Sequence, residues 1–318
     1  QSDLYQLSAQ GQVEAGTNRL IWTLRIGLSK QDKFYVIRDI PLFLKVIEFS
    51  KPYMIGKHYE TSLRLEQFDK ASQEVLNFLL GLVEEKTDNS IFFPNQGRHL
   101  YFPKTFFEQG ASLLMGLDAF QFDHQLSSYH HLLFQDFDGQ ASLFSFRIEE
   151  KSNYFESNYF EMEIFEQTGL NFFYRGQVLF YKGNFFLMTK KQASLLDALR
   201  KVPLDNGGRK ILQFDTRDRN LLASTLSQFK CLGKVEAPDS LQIQSFRPSF
   251  YMEREEDGSI RLDMQFQYET CLVTNRNELE NLPFASDIQL EKKIFQLALS
   301  AGFEADFRSW RQSLKADA

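Results

Sequence analysis

Apolar and polar positions alternate from Leu20 to Gly27, with Leu20, Trp22, Leu24 and Ile26 on one face, and this period of two predicts a strand. Lys33 to Ile37 reads as its hairpin partner across the polar turn Ser29 to Asp32. The period then changes. Asp39 stands where its carboxylate accepts from the first-turn amides of a helix running through Phe49, and Pro41 is tolerated within that turn. From Asp69 to Glu85 the residues Val75, Leu76, Leu79, Leu80 and Val83 recur at three-and-four spacing, the apolar stripe of an amphipathic helix. Ahead of all this, Gln1 to Asn18 is polar, and residues 1–19 are expected to be a linker.

The same grammar of strand followed by capped helix returns. His99 to Phe102 is extended and runs through Pro103 into a helix ending near Leu117. Asn171 to Leu187 holds two or three short strands broken at Arg175-Gly176 and Lys182-Gly183-Asn184, and Thr189 then opens a helix through Lys201. Gln192, three residues after Thr189, completes a capping box. Lys210 to Phe214 is again a strand, followed by Asp215-Thr216 and a helix with Leu221, Leu222 and Leu226 inward. Irregular spacing between these copies marks a recurring unit rather than a tandem repeat.

Two more strands, Ser142 to Ile148 and Tyr159 to Phe165, flank a loop carrying Asn153-Tyr154-Phe155-Glu156. Ser249 to Arg254 and Ser259 to Tyr268 form the clearest hairpin: Asp257-Gly258 supplies the positive backbone angles of its turn, and Ile260, Leu262, Met264, Phe266 and Tyr268 alternate with polar residues. A last helix from Asp287 places Leu290, Ile294, Leu297, Ala298 and Ala301 on one side and stops at Gly302, after which Phe303 folds back. The pattern predicts an α+β fold of mainly antiparallel sheets with repeated strand-to-capped-helix units. A propeller-like ring of small sheets with helices is the alternative arrangement. Residues 20–303 are expected to form one domain, with room for two subdomains divided near 120–140, and 304–318 a connection onward.

Composition adds that the interior is built from rings: 33 Phe and 12 Tyr in 318 residues, within a chain 43% hydrophobic and 25% charged. No apolar run approaches the length of a membrane-spanning helix. Two cysteines, Cys231 and Cys271, need no disulfide framework; they fit a reducing cytoplasm and read as core thiols. Neither an initiator Met nor a leader opens the chain, which suggests a piece of a longer polypeptide.

Candidate chemistry is sparse. No glycine-framed Gly-Lys-Ser or Gly-Lys-Thr loop is present, and Asp205-Asn206-Gly207-Gly208-Arg209-Lys210 reads as a connecting turn. His124, His130 and His131 lie near Asp123, but adjacent histidines diverge on a helix or a strand and do not converge on a metal. Catalytic residues, cofactor-binding residues, metal ligands and cofactors are therefore all assigned as none. Net charge is −6, which excludes a chain that wraps nucleic acid with its whole surface. One stretch departs from that balance: Lys190, Lys191, Arg200, Lys201, Arg209, Lys210, Arg217 and Arg219 stand against Asp197, Asp205, Asp215 and Asp218, a local net of +4. These eight cations are the candidate phosphate contacts, sequence-blind and salt-sensitive.

The segment Pro248-Ser249-Phe250-Tyr251-Met252-Glu253-Arg254-Glu255-Glu256-Asp257-Gly258, the strand ending at Gln267-Tyr268, and the helix from Glu291-Lys292-Lys293-Ile294 to Ala301-Gly302-Phe303 resemble the helicase-associated domain of bacterial Swi/Snf-family helicases. Leu20 to Gly27 and Phe34 to Leu44 resemble the opening of that domain. Two positions depart from the pattern: Glu269 stands where Gly commonly follows the strand, and Ser286-Asp287 where Arg often precedes the last helix. The resemblance implies a noncatalytic accessory module of a cytoplasmic DNA-dependent ATPase whose two RecA-like lobes follow it, a zinc-binding SWIM finger often preceding. The implied partners are the helicase motor of the same polypeptide and duplex DNA, with no membrane. A docking platform for an unidentified protein, without DNA contact, is the rival reading. A hydrolase would require a deep pocket where His130 or His131 meets acidic residues.

Overall fold

The computed structural model describes residues 3–85, 90–139, 141–155, 157–305 and 311–314. They divide into two compact units: residues 1–136 with 169–193, and residues 137–168 with 194–318. Residues 1–136 carry β1 (Tyr5–Val13), β2 (Leu20–Leu28), β3 (Phe34–Val36), α1 (Ile40–Glu48), β4 (Pro52–Ile55), β5 (Tyr59–Ser62), α2 (Lys70–Glu85), α3 (Lys104–Met115), β6 (Ala119–His124), β7 (Ser127–Tyr129) and β8 (Leu133–Asp136). The antiparallel pair β9 (Phe144–Ser152) and β10 (Asn158–Glu166) follows. Next come β11 (Asn171–Phe173), β12 (Val178–Tyr181), β13 (Asn184–Leu187) and α4 (Lys190–Arg200), within which the boundary between units falls. The remainder is β14 (Lys210–Asp215), α5 (Arg219–Lys230), β15 (Lys234–Glu236), β16 (Ile243–Gln244), β17 (Arg247–Arg254), β18 (Ile260–Gln267), β19 (Leu272–Val273), α6 (Arg276–Glu280), β20 (Ala285–Ser286), α7 (Ile288–Ser300), β21 (Glu304–Ala305) and β22 (Arg311–Leu314).

This is an α+β fold of open sheets, most pairings antiparallel. In the first unit a five-stranded sheet has the order β3-β2-β1-β6-β7, and a four-stranded one the order β11-β12-β13-β8. The polar opening stretch is not a linker. Its residues form β1, the middle strand, antiparallel to β2 and parallel to β6. Its inward side carries Tyr5, Leu7 and Ala9, then Gly11, where a Cβ would lie 2.5 Å from the Trp22 ring. The absent side chain is the space that Trp22 and Phe122 fill, so at Gly11 the apolar contact comes from its neighbours.

Rings dominate that core. Trp22, Phe43, Phe68, Phe102, Phe107, Phe122, Phe180 and Phe185 are fully buried, and Phe107, Phe122 and Phe180 each meet Phe185 with centroids 5.2, 5.6 and 4.8 Å away. Asp39 caps α1 by accepting from Leu42 N at 3.0 Å, and the Thr189–Gln192 box closes in both directions at 2.9 and 3.2 Å.

In the second unit one sheet has the order β14-β10-β9-β15 and another β17-β18-β22-β21, with β19 also on β18. Leu262, Met264 and Phe266 of β18, and Tyr268 just beyond it, are buried as their alternation requires, under Ile294 and Ala298 of α7. Phe303 packs back on the same cluster. Two helical faces differ from expectation. Leu221 is 60% exposed, because α5 turns Leu222, Ala223, Leu226 and Phe229 inward; Leu297 is 61% exposed, because α7 seats on Ile294 and Ala298 with Ala301 already at the cap. In the hairpin turn only Gly258 takes positive φ, at 86°. Asp257 contributes through its carboxylate instead, which accepts from Ser259 N at 2.9 Å. Glu156 and residues 306–310 and 315–318, parts of the predicted loop and connection, lie outside the described residues. Glu304–Ala305 and Arg311–Leu314 pair as strands.

Candidate nucleic-acid interface

Lys190 and Lys191 open α4 in the first unit, both exposed on the turn that the Thr189–Gln192 box holds in place. The other six candidates belong to the second unit. There the fold sets a counter-charge or a carbonyl beside each. Arg200 meets Glu166 at 3.7 Å and Lys201 meets Asp197, one helical turn earlier, at 2.8 Å. Asp205 organises the connecting turn, accepting from the amides of Gly207 and Arg209 at 2.9 and 2.8 Å, while the Arg209 guanidinium returns to it at 3.2 Å. Those bonds, the Arg209 amide first, hold the Asp205 carboxyl below its usual range. Gly208 takes φ 75° in this turn, as the connecting-turn reading of the glycine pair expects.

Lys210 donates to the Arg200 carbonyl at 3.1 Å, and Arg217 pairs with Asp215 at 3.0 Å, which lowers the Asp215 pKa and raises that of Arg217. Arg219 is turned inward: its Nη1 donates to the Leu282 carbonyl at 2.6 Å, and its guanidinium lies 5.8 Å from the Phe160 ring centroid. It ties α5 to the loop before β20 and presents little charge to solvent. Asp215 and Arg217 also line a polar cleft of about 800 Å³ with Asn153, Asn158 and Gln213. Exposed pairs of this kind are screened by solvent and weakly held.

The histidines do not converge. His124 packs against Phe122 and Phe180, and burial lowers its pKa; the Nδ1 of His130 lies 3.1 Å from the Phe120 carbonyl. Asp123 instead accepts from Gln10, Gln121 and Ser128. His130 does line a cleft of about 350 Å³ that also contains Asp118, Gln10 and Arg25, but among the described residues no hydrogen bond joins it to a carboxylate. No group of three His, Cys, Asp or Glu side chains among the described residues is placed to hold a metal ion. Cys231 is not a core thiol: it is the C-cap of α5, two residues beyond the last inward side chain, Phe229, and is exposed, whereas Cys271 packs on the second unit's core.

Against known proteins, a family model described as bacterial SNF2 helicase associated matches residues 98–315, well over half of the chain. The chain belongs to this family. The matched span contains the β17–β18 hairpin and α7, and all eight candidate cations. It begins after β2 and α1, so the block from Leu20 to Leu44 lies ahead of it. No curated protein and no solved structure matches the chain. No helix among the described residues is long and apolar enough to cross a membrane.

Two cations of the first unit, Arg19 and Arg175, give little sign of a site in the sequence, because neither has another cation beside it. Folding brings both into one cleft with Tyr101 and Tyr174. The signal available in the sequence was the bulky pair Tyr174-Arg175 at a break between strands.

Proposed function

We propose that this chain is a noncatalytic accessory module of a bacterial Swi/Snf-type DNA-dependent ATPase, working in the cytoplasm to position the motor of the same polypeptide on duplex DNA. The family match over residues 98–315 carries the reading. The cation-rich stretch from α4 to α5 supports it, since exposed lysines and weakly held surface arginines are the groups that exchange a carboxylate for a phosphate. In an anisotropy titration with a short labelled duplex, affinity falls as salt rises, and Lys190→Glu combined with Arg200→Glu weakens it at every salt concentration. Unchanged affinity in that double variant removes the patch. ATP turnover that survives repurification of the chain removes the noncatalytic assignment.

A second reading, a docking platform without DNA contact, is favoured by exposed apolar side chains in the second unit. Tyr154 and Phe155 at the tip of the β9–β10 hairpin are 97% and 85% exposed, and Phe250, Tyr251 and Met252 lie open on β17. Under that reading Phe155→Ser lowers affinity for the separately purified motor domain and leaves duplex affinity unchanged.

A further inference from the structure

The first unit contains a cleft of about 330 Å³ beside the turn that joins β11 to β12. Its aromatic wall is Tyr101, Tyr174 and Phe172. The Tyr101 and Tyr174 rings lie 6.1 Å apart and 31° from parallel, and the Arg19 guanidinium sits 5.5 Å from the centre of the Tyr101 ring. Arg19 is fixed there by Glu14, at 2.7 Å, and Asn18 donates to the Phe172 carbonyl at 3.0 Å. Arg175 projects from the turn, exposed and without an ion pair among the described residues.

The turn itself is strained. Tyr174 and Arg175 take φ of 52° and 55°, followed by Gly176 at 83°. Left-handed backbone costs an L-residue roughly 1–2 kcal/mol, and two bulky side chains in succession bear that cost here. What holds them is the surrounding structure: Gly176 N bonds back to Phe173 O at 3.1 Å, and the Tyr174 hydroxyl donates to the Phe102 carbonyl. Strain of this kind persists where the geometry it produces is used. Here it drives the Tyr174 ring into the wall and leaves the next side chain, a cation, at the rim.

We infer that this cleft binds one nucleotide unit, the base against Tyr101 and Phe172 and the phosphate on Arg175. Aromatic rings match the face of any base, so recognition is indifferent to sequence. No carboxylate is among the described residues that line the cleft, and the nearby Glu14 is engaged by Arg19, Thr17 and Asn95, so Arg175 is left to attract an anion. The volume is at the lower end of ligand pockets, which suits a single nucleotide and not a duplex. This site is separate in chemistry from the phosphate contacts proposed for the α4–α5 stretch and stands or falls without them.

The same chemistry is offered by a residue of single-stranded DNA and by a free nucleotide. The test uses both, with labelled oligodeoxythymidylate followed by anisotropy and dTMP by calorimetry on the full chain. Arg175→Gly and Tyr101→Leu are each expected to lower affinity by about tenfold, the size of one lost stacking or charge contact. Arg175→Gly should retain or raise the thermal midpoint, so its loss of binding is not a loss of fold. Competition by dTMP identifies a site open to free nucleotide; oligonucleotide binding that depends on the cleft yet resists dTMP identifies a strand-borne one. Wild-type affinity in both variants, or no binding of either probe by the wild-type chain, overturns the inference. Lys190→Glu with Arg200→Glu should lower duplex affinity without changing the effect of Arg175→Gly on the oligonucleotide, so failure of the cleft is distinguishable from failure of the duplex patch.

Discussion

Two hairpin turns, one in each unit, reverse the chain with different residues in the left-handed positions. Between β17 and β18 only Gly258 has positive φ, and Asp257 and Glu255 close the loop through bonds to Ser259 and Gly258. Local chemistry satisfies that turn, since its bonds run among Glu255, Asp257, Gly258 and Ser259. Between β11 and β12 Tyr174 and Arg175 join Gly176 in left-handed backbone, and tertiary contacts of Tyr174 with Phe102 and Phe107 add to the local bond from Gly176 N to Phe173 O in holding the backbone there. The relaxed turn serves to end a hairpin. The strained one lies at a cleft, and the difference separates a turn kept for its geometry from a turn kept for the side chains it presents.

The largest test of that contrast is Gly258→Val, which forces a branched side chain into left-handed backbone and should cost about 2 kcal/mol in denaturant unfolding. A cost near zero would mean that the two turns are not different in kind. The reverse change, Arg175→Gly, should stabilise the first unit by about 0.5–1 kcal/mol, since relief of left-handed strain exceeds the added freedom of glycine in the unfolded chain. Loss of stability there would show that the Arg175 turn is unstrained.

The smallest effect is in acid. Hydrogen bonds from Thr17, then Asn95 and Arg19, hold Glu14 down to about 2. A lowered folded-state value means that its stabilisation is complete above the ordinary carboxylate range near pH 4.5 and is lost as pH falls from there through 2. Glu14→Gln should therefore flatten the decline of the melting midpoint across that interval, and an unchanged slope would separate Glu14 from the cleft's stability. Asp257 is also lowered, chiefly by the Ser259 hydroxyl, but it is exposed and its removal should alter the slope less.

Much of the fold was legible because its signals are local. The alternation of β18, the Asp39 cap, the Thr189–Gln192 box and the turn at Asp205 all act within a few residues and recur in the structure where the chain places them. β1 was passed over although Tyr5, Leu7, Ala9, Gly11 and Val13 alternate with Gln and Ser, because Ala and Gly at its centre carry little hydrophobic contrast until Trp22 and Phe122 fill the space at Gly11. The basic stretch was visible as composition. Part of its pairing was visible too, since Asp197, Asp205 and Asp215 lie within four residues of Lys201, Arg209 and Arg217; the rest was not, because Glu166 meets Arg200, and the Leu282 carbonyl meets Arg219, only across the fold.

By itself, then, the sequence determined the α+β character, the helix starts, the relaxed hairpin turn and the run of cations, because backbone capping and side-chain periodicity are settled by residues within a turn or two of each other. Only the tertiary structure decided which cations stay open to solvent, that β1 lies in the middle of its sheet, and that Arg19, Tyr101 and Arg175 share one cleft. Burial and charge pairing depend on residues far apart in the chain, and no local pattern encodes which of them will meet.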